Sequence, residues 1–290
     1  MPDIQLRFNR DMLVLSGPID ATLERLGFDA ASERESLMAS EPETITEALR
    51  LQDSSGAPCL VTPTAGITRA RLAHVRLSDA QSDIAQAALA VVRGFSPQHV
   101  LAEIGPCGLP LDPGSQASLR ALRDQYSDAV RAFGEEGIDA FVLTGLGGES
   151  ELLCALMGVR KETALPVFAQ VVVDARGNLA DGSGLEGALE LMEEYEADVV
   201  GFASSAPLEA VAALAERACA ASELPLFVQL DVLPGAYDER ENPYASPDLL
   251  MGAALRLRAA GVQFLRAGGQ ALATHTGALA VACEGLDPVR

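Results

Sequence analysis

No two of the five cysteines, Cys59, Cys107, Cys154, Cys219 and Cys283, lie close together in this sequence. The odd count and wide spacing argue against a disulfide framework and against a CxxC metal site. Cys154, Cys219 and Cys283 sit in Ala- and Leu-rich stretches and read as small core residues. No apolar run is long enough to span a bilayer. The start, Met1-Pro2-Asp3-Ile4-Gln5-Leu6-Arg7, lacks the charged head and apolar middle of a signal peptide, so a cytoplasmic location is expected. Basic residues are scarce: 21 Lys and Arg stand against 41 Asp and Glu, a formal charge of −20. Phosphate backbones and anionic membrane surfaces need clustered cations, so neither nucleic acid nor membrane is expected as a partner. The acid is spread along helices, as at Glu190, Glu193, Glu194 and Glu196, which suits a solvated surface; an acidic face for a basic partner is the alternative. Low-complexity segments and interdomain linkers are also missing.

What is present is a repeated strand-then-helix unit. Apolar runs with strand character occupy Met12–Ser16, Pro58–Thr62, Val100–Gly105, Asp139–Thr144, Pro166–Val172, Asp198–Ala203, Pro225–Leu230 and Val262–Ala267. Helical spacing lies between them. Over Ser115–Glu136, Leu119, Leu122, Tyr126, Val130 and Phe133 fall three and four apart, and Leu185–Tyr195, Leu208–Ala221 and Pro247–Ala260 read alike. Ser183 and Ser246 are expected helix N-caps, and Gly137 and Gly261 are expected C-caps before strands. Eight such units predict one α/β domain over residues 1–290, a (β/α)8 TIM-type barrel. The rival is an open doubly wound sheet, but no G-x-G-x-x-G opens a helix after the first strand. Gly145-Leu146-Gly147-Gly148 lacks that spacing and reads as a loop at a strand end.

Barrel chemistry sits at the C-terminal ends of the strands. Those ends supply hydroxyls, two carboxylates, one thiol and one amide, with no Lys, Arg or His at the immediate tips. Asp231 is the candidate catalytic residue, because it is a strand-end carboxylate. Asp174, followed by Ala175-Arg176-Gly177, reads as a turn.

Several ordered motifs resemble the homocysteine S-methyltransferase family, the homocysteine-binding barrel of methionine synthase and betaine–homocysteine methyltransferase. They are Thr68-Arg69-Ala70-Arg71-Leu72, Ile104-Gly105-Pro106 with Gly108, Gly137-Ile138-Asp139, Leu165-Pro166-Val167, and Asp174 followed by Gly177-Asn178-Leu179-Ala180-Asp181-Gly182-Ser183. Gly201, Pro207 and Gly268-Gly269 complete the set. The resemblance runs roughly from Met12 to Leu279 and implies a barrel in which zinc, held by three cysteines, binds the homocysteine sulfur. A free thiol, with a pKa of about 8.5, is mostly protonated at neutral pH, whereas a coordinated one is deprotonated. The ligand positions the resemblance implies are Ser204, Gln270 and Ala271, none of them cysteine. The family's opening carboxylate corresponds to Ser16, its Glu-Thr-Asn run to Val61-Thr62-Pro63, and its Glu-Thr after the fourth strand to Thr144-Gly145.

An ordinary homocysteine–zinc site is therefore not expected, and no metal or other cofactor is expected to be bound. A rebuilt zinc site would have to draw on Cys107, Asp231 and His275. Ser16, Thr62, Thr144, Ser204, Ser205 and Gln270 are the candidate substrate-binding residues. Two readings stay open. In one, the chain is a methyltransferase-like enzyme with a changed small-molecule substrate, or one working with a separate corrinoid or methyltransferase protein. In the other, it is an inactive binding or scaffold subunit.

Overall fold

The computed structural model describes residues 3–235 and 242–289. A 3₁₀ turn over Ile4–Arg7 precedes β1 (Leu13–Leu15), α1 (Asp20–Arg25), α2 (Ala30–Ser40), α3 (Pro42–Asp53) and β2 (Cys59–Val61). Then come α4 (Arg69–His74), α5 (Gln81–Gly94), β3 (His99–Ile104), α6 (Gln116–Phe133), β4 (Ala140–Leu146) and α7 (Glu149–Glu162). The second half is β5 (Val167–Val172), α8 (Leu185–Glu194), β6 (Val199–Ser204), α9 (Leu208–Ala221), β7 (Leu226–Val232), α10 (Pro247–Ala259), β8 (Val262–Gly269) and α11 (Ala273–Cys283). The strands close in sequence order into one barrel, β8 pairing in parallel with β1. Each predicted apolar run overlaps one of these strands, and five of the strands extend beyond their run. A fully parallel ring buries both faces of each strand, hence the near-continuous Val, Ile, Leu and Phe.

Two cores result. Outward side chains pack against the helices in the large shell that includes Val14, Val100, Phe141, Phe202 and Leu265. Inward side chains fill the barrel's lower half with Leu13, Cys59, Leu101, Val142, Phe168, Phe227 and Phe264. The N-terminal turn plugs this end: Ile4 is fully buried, and Phe8 meets Phe264 and Phe168 edge-on at centroid distances of 5.7 and 6.0 Å. Phe168 and Phe264 stack edge-on at 4.8 Å.

Some local expectations shift. α6 stops at Phe133 because Gly134 (φ 64°) caps it; Gly137, also left-handed at φ 73°, lies in the turn that follows. Gly261 (φ 91°) turns the chain between α10 and β8 as expected. Ser183 is not the N-cap of α8. Gly184 holds that place, while the Ser183 hydroxyl donates to Asp181. Ser246 occupies the N-cap position of α10 without a capping hydrogen bond. The Gly145 segment extends β4 across an irregular register between Leu143 and Leu146, and Gly148 is the N-cap of α7. All five cysteines are free; Cys154 and Cys283 are buried and Cys219 is half-buried.

Candidate functional site at the barrel mouth

Above the aromatic floor, the inward positions of the same strands turn polar. β3 places Glu103 and β8 places Arg266 so that they face each other inside the barrel. Arg266 Nη1 lies 2.6 Å from Glu103 Oε1, and Nη2 lies 3.2 Å from Oε2. Arg266 Nε donates to the Ser16 carbonyl at 2.9 Å, and Thr144 Oγ1 donates to Glu103 Oε1 at 2.8 Å. Both charged residues are buried. Burial pushes the Glu103 carboxyl up; Arg266, the Thr144 hydroxyl and Arg34 outweigh it and hold the group below the usual carboxylate range.

β7 contributes Gln229 and Asp231 two residues apart, on one face. Gln229 Nε2 donates to Asp231 Oδ1 at 2.8 Å. Gly268 makes that bond possible. A Cβ there would lie 2.3 Å from both the Asp231 oxygen and the Gln229 nitrogen. Burial raises the Asp231 carboxyl pKa against the opposing pull of Gln229 and Arg266. From α2, Arg34 leans over the mouth, 2.6 Å from Asp20 Oδ1 and 2.9 Å from Glu35 Oε1; Glu35 also accepts from the Gly66 N–H. Burial works against the Arg34 charge, but Glu35 and Asp20 more than offset it.

These groups surround an open cavity of about 510 Å³ lined by Arg34, Glu103, Thr144, Asp231, Arg266 and Gln270, among others. A second hollow of about 460 Å³ adjoins it and includes Arg25 and His275. Glu24 and Gln270 line both, joined by a hydrogen bond of 3.2 Å.

Of the sequence-predicted residues, Asp231, Thr144 and Gln270 line the cavity. Ser16, Thr62 and Ser204 instead hold the framework. Ser16 Oγ accepts from the Val61 N–H at 2.9 Å. Thr64 gives its proton to the Glu103 carbonyl, so Thr62 donates to Thr64 and accepts from the Glu103 N–H. Ser204 Oγ donates to the Val173 carbonyl at 3.0 Å and accepts from the Ala206 N–H at 3.3 Å. Ser205 follows β6, half-buried, and is not among the residues lining the cavity. Gln270 and Ala271 follow β8. Ala271 is buried, and its N–H donates to the Gly268 carbonyl.

The residues named for a rebuilt metal site are not brought together. Cys107 is buried, its thiol pushed up to about 11 by burial, and its sulfur accepts from the Leu109 N–H. His275 sits in the first turn of α11. The Leu272 N–H donates to Nδ1 at 3.0 Å, so Nε2 carries the proton and donates to the Ala245 carbonyl at 3.2 Å. Among the described residues there is no group of three or more His, Cys, Asp or Glu side chains placed to hold a metal ion. Asp174 is a turn: its carboxylate accepts from the Arg176 and Asn178 N–H groups at 2.8 and 2.9 Å.

The remaining motifs are structural. Thr68 Oγ1 donates to the Cys107 carbonyl, and Gly108 (φ 79°) leaves room for Arg71, whose Cδ would lie 2.6 Å from an added Cβ. Asp181 accepts from the Glu149 N–H at the start of α7.

Reading strand tips alone missed Glu103 and Arg266, which lie just below the tips, and Arg34, which reaches the mouth from α2. The sequence signal for two of them was a single charge inside a mostly apolar strand, in Val100–Gly105 and in Val262–Ala267. Gln170 and Gln229 are likewise lone polar residues within apolar strands, though uncharged. Arg34 lay on a helix and carried none.

The pattern of the homocysteine S-methyltransferase family matches residues 13–269. Methionine synthase of Mycobacterium tuberculosis is 26% identical over 180 residues, covering 58% of this chain and 15% of that protein; methionine synthase of Mycobacterium leprae matches over the same shares. The chain thus corresponds to a small part of these relatives' length. The homocysteine methyltransferase MmuM from Escherichia coli, in its metallated form, superposes with a TM-score of 0.77 at 20% identity over 94% of this chain and 96% of that one. Its oxidized form superposes at 0.78. At that identity the likeness establishes the fold, and the match across nearly the whole barrel establishes more: the chain belongs to the homocysteine S-methyltransferase family.

Proposed function

We propose that this chain is a methyltransferase-type barrel that acts on a small molecule without a zinc-bound thiolate. One observation carries the reading: the mouth holds convergent, mostly buried polar groups around a cavity of about 510 Å³, as a small-molecule site requires. The donor set at the family's metal positions supports a changed chemistry. A Ser204 hydroxyl held between two backbone groups, a Gln270 carboxamide bonded to Glu24 and an Ala271 methyl do not fit zinc, which needs three or four thiolate, imidazole or carboxylate ligands. Without a metal to acidify a thiol, proton handling falls to this chain's own carboxyls. Asp231, raised by burial and oriented by Gln229, is the group suited to hold or release a proton at its Oδ2 atom. The methyl acceptor is proposed to be a corrinoid carried by a separate protein.

The second reading, a binding or scaffold subunit without turnover, draws on the framework use of Ser16, Thr62 and Ser204. Metal analysis of protein purified under reducing conditions, with homocysteine titrated calorimetrically, tests the metal-free reading. Little zinc and no heat are expected. Near-stoichiometric zinc with binding heat would sink it. Incubating the protein with reduced cobalamin and a panel of methylated small molecules separates the two readings. Methylcobalamin formation is expected, and its absence across the panel would favour the scaffold.

A further inference from the structure

The polar belt above the aromatic floor contains a group without a hydrogen-bond partner among the described residues. Gln170, on β5, is fully buried, and neither its Oε1 nor its Nε2 has a hydrogen-bond partner; Gln229 Oε1 is also unpartnered. Buried polar atoms without partners are rare, because each forfeits its hydration for no return. Gln170 follows Phe168 by two residues, and Phe168 belongs to the cluster inside the barrel, so the Gln170 side chain points inward as well. Register places Gln170 beside Gly201 on β6. Gly201 contributes no side chain to the interior, and a Cβ there would lie 2.2 Å from the Phe227 carbonyl oxygen. The inward belt therefore runs Glu103, Thr144, Gln170, Gly201, Gln229 and Arg266 on six successive strands, and the open cavity reaches four of these: Glu103, Thr144, Gln229 and Arg266.

The cation of this deep end is balanced. Glu103 and Arg266 neutralise each other in a two-pronged pair. Burial favours the neutral form of Asp231. What is left unsatisfied is a carboxamide, which offers a donor and an acceptor side by side in one plane. Its complement is another planar donor–acceptor edge, such as a lactam, a primary carboxamide or a cyclic urea. A carboxylate finds no uncompensated cation there among the described residues, because Arg266 is already paired with Glu103.

We propose a head-group site for a neutral amide or lactam edge at the deep end of the cavity, between Gln229, which lines it, and Gln170, which is buried beyond its lining. This rests on the small-molecule reading above and narrows it to a class of ligand. Retaining an unpartnered buried amide costs stability in the free protein, and a ligand edge repairs the loss on binding.

The test uses the full chain, ¹⁵N-labelled, titrated with 2-pyrrolidone and followed through the side-chain amide signals of Gln170 and Gln229. Saturable shifts of both are expected. N-methyl-2-pyrrolidone, which lacks the N–H, should bind about tenfold more weakly or worse. Gln170→Met, close in volume and without the amide, should lose 2-pyrrolidone affinity by a similar factor while raising the Tm of the free protein. A Gln170 signal that stays still, equal binding of the two lactams, or unchanged affinity in Gln170→Met would each overturn the proposal. If the substitution disrupts folding, the two-lactam comparison on the unmodified chain decides alone. Shifts at Thr144 and Gln270 without shifts at Gln170 would reject this site and leave the small-molecule reading standing. Lactam binding without methyl transfer from any donor would do the reverse.

Discussion

At the scale of single residues, the Glu103–Arg266 pair dominates. Two opposite charges taken out of water gain little over an apolar pair of the same size, but one left alone is costly. Glu103→Gln should therefore destabilise the protein by about 3–5 kcal/mol, read from urea unfolding. Replacing both partners by apolar residues of similar volume should recover most of that loss, and a double-mutant cycle measures the difference. If Glu103→Gln proved neutral, the pair would not be desolvated as described. The two carboxyls of the site should also respond to pH in opposite senses. Glu103 is held below its unfolded value, so its contribution is full above the ordinary carboxylate range and fades as pH falls through the folded value. Asp231 is raised, so the folded state binds its proton more tightly. Its favourable contribution is present at low pH and is lost as pH rises through its folded value. Asp231→Asn, which keeps an oxygen for Gln229, should stabilise the protein more at neutral pH than at acid pH. Equal effects at both would show that Asp231 is not shifted.

At the scale of elements, close approach of strands decides where substitution is tolerated. β6 and β7 pack with Gly201 against the Phe227 backbone, and a methyl group 2.2 Å from a carbonyl oxygen has no rotamer by which to escape. Gly201→Ala should cost about 1–3 kcal/mol, the usual range for overpacking, seen as a lower thermal midpoint. The N-terminal turn behaves as part of the core. Ile4 is fully buried under the barrel with Phe8 beside it, although the segment carries no strand or helix pattern. Ile4→Ala should lower stability by about 2–5 kcal/mol in denaturant titration. A loss under about 0.5 kcal/mol, typical of surface positions, would mean the plug is not seated in solution.

At the scale of the whole molecule, the formal charge of −20 is the main long-range term. Like charges repel most in the compact state, and salt screens them beyond a Debye length of about 10 Å at 0.1 M. Raising the ionic strength from about 0.01 M to about 0.15 M should therefore raise the thermal midpoint, with a neutral salt that binds no specific site. A flat response would mean that local ion pairs, such as Arg160–Asp198 and Arg217–Glu186, already compensate the surface. No helix among the described residues is long and apolar enough to cross a membrane.

The strand positions, their parallel order and the barrel were legible in the sequence, because burial on both faces leaves apolar runs that local reading detects. The turn role of Asp174 was legible for a similar reason: it is decided by neighbours a few residues away. The polar belt was not. Glu103 and Arg266 are 163 residues apart, and only barrel closure places one opposite the other. Whether Ser16, Thr62 and Ser204 face a ligand or brace the backbone depends on which N–H and carbonyl groups the neighbouring strands bring within reach, and strand pairing sets that. Residue type and local spacing thus determined the elements, and ordered motifs carried the resemblance to the family. Contacts between residues distant in the chain, fixed by ring closure and strand register, decided which side chains form the cavity and which buried polar atoms, those of Gln170 among them, are left without a partner.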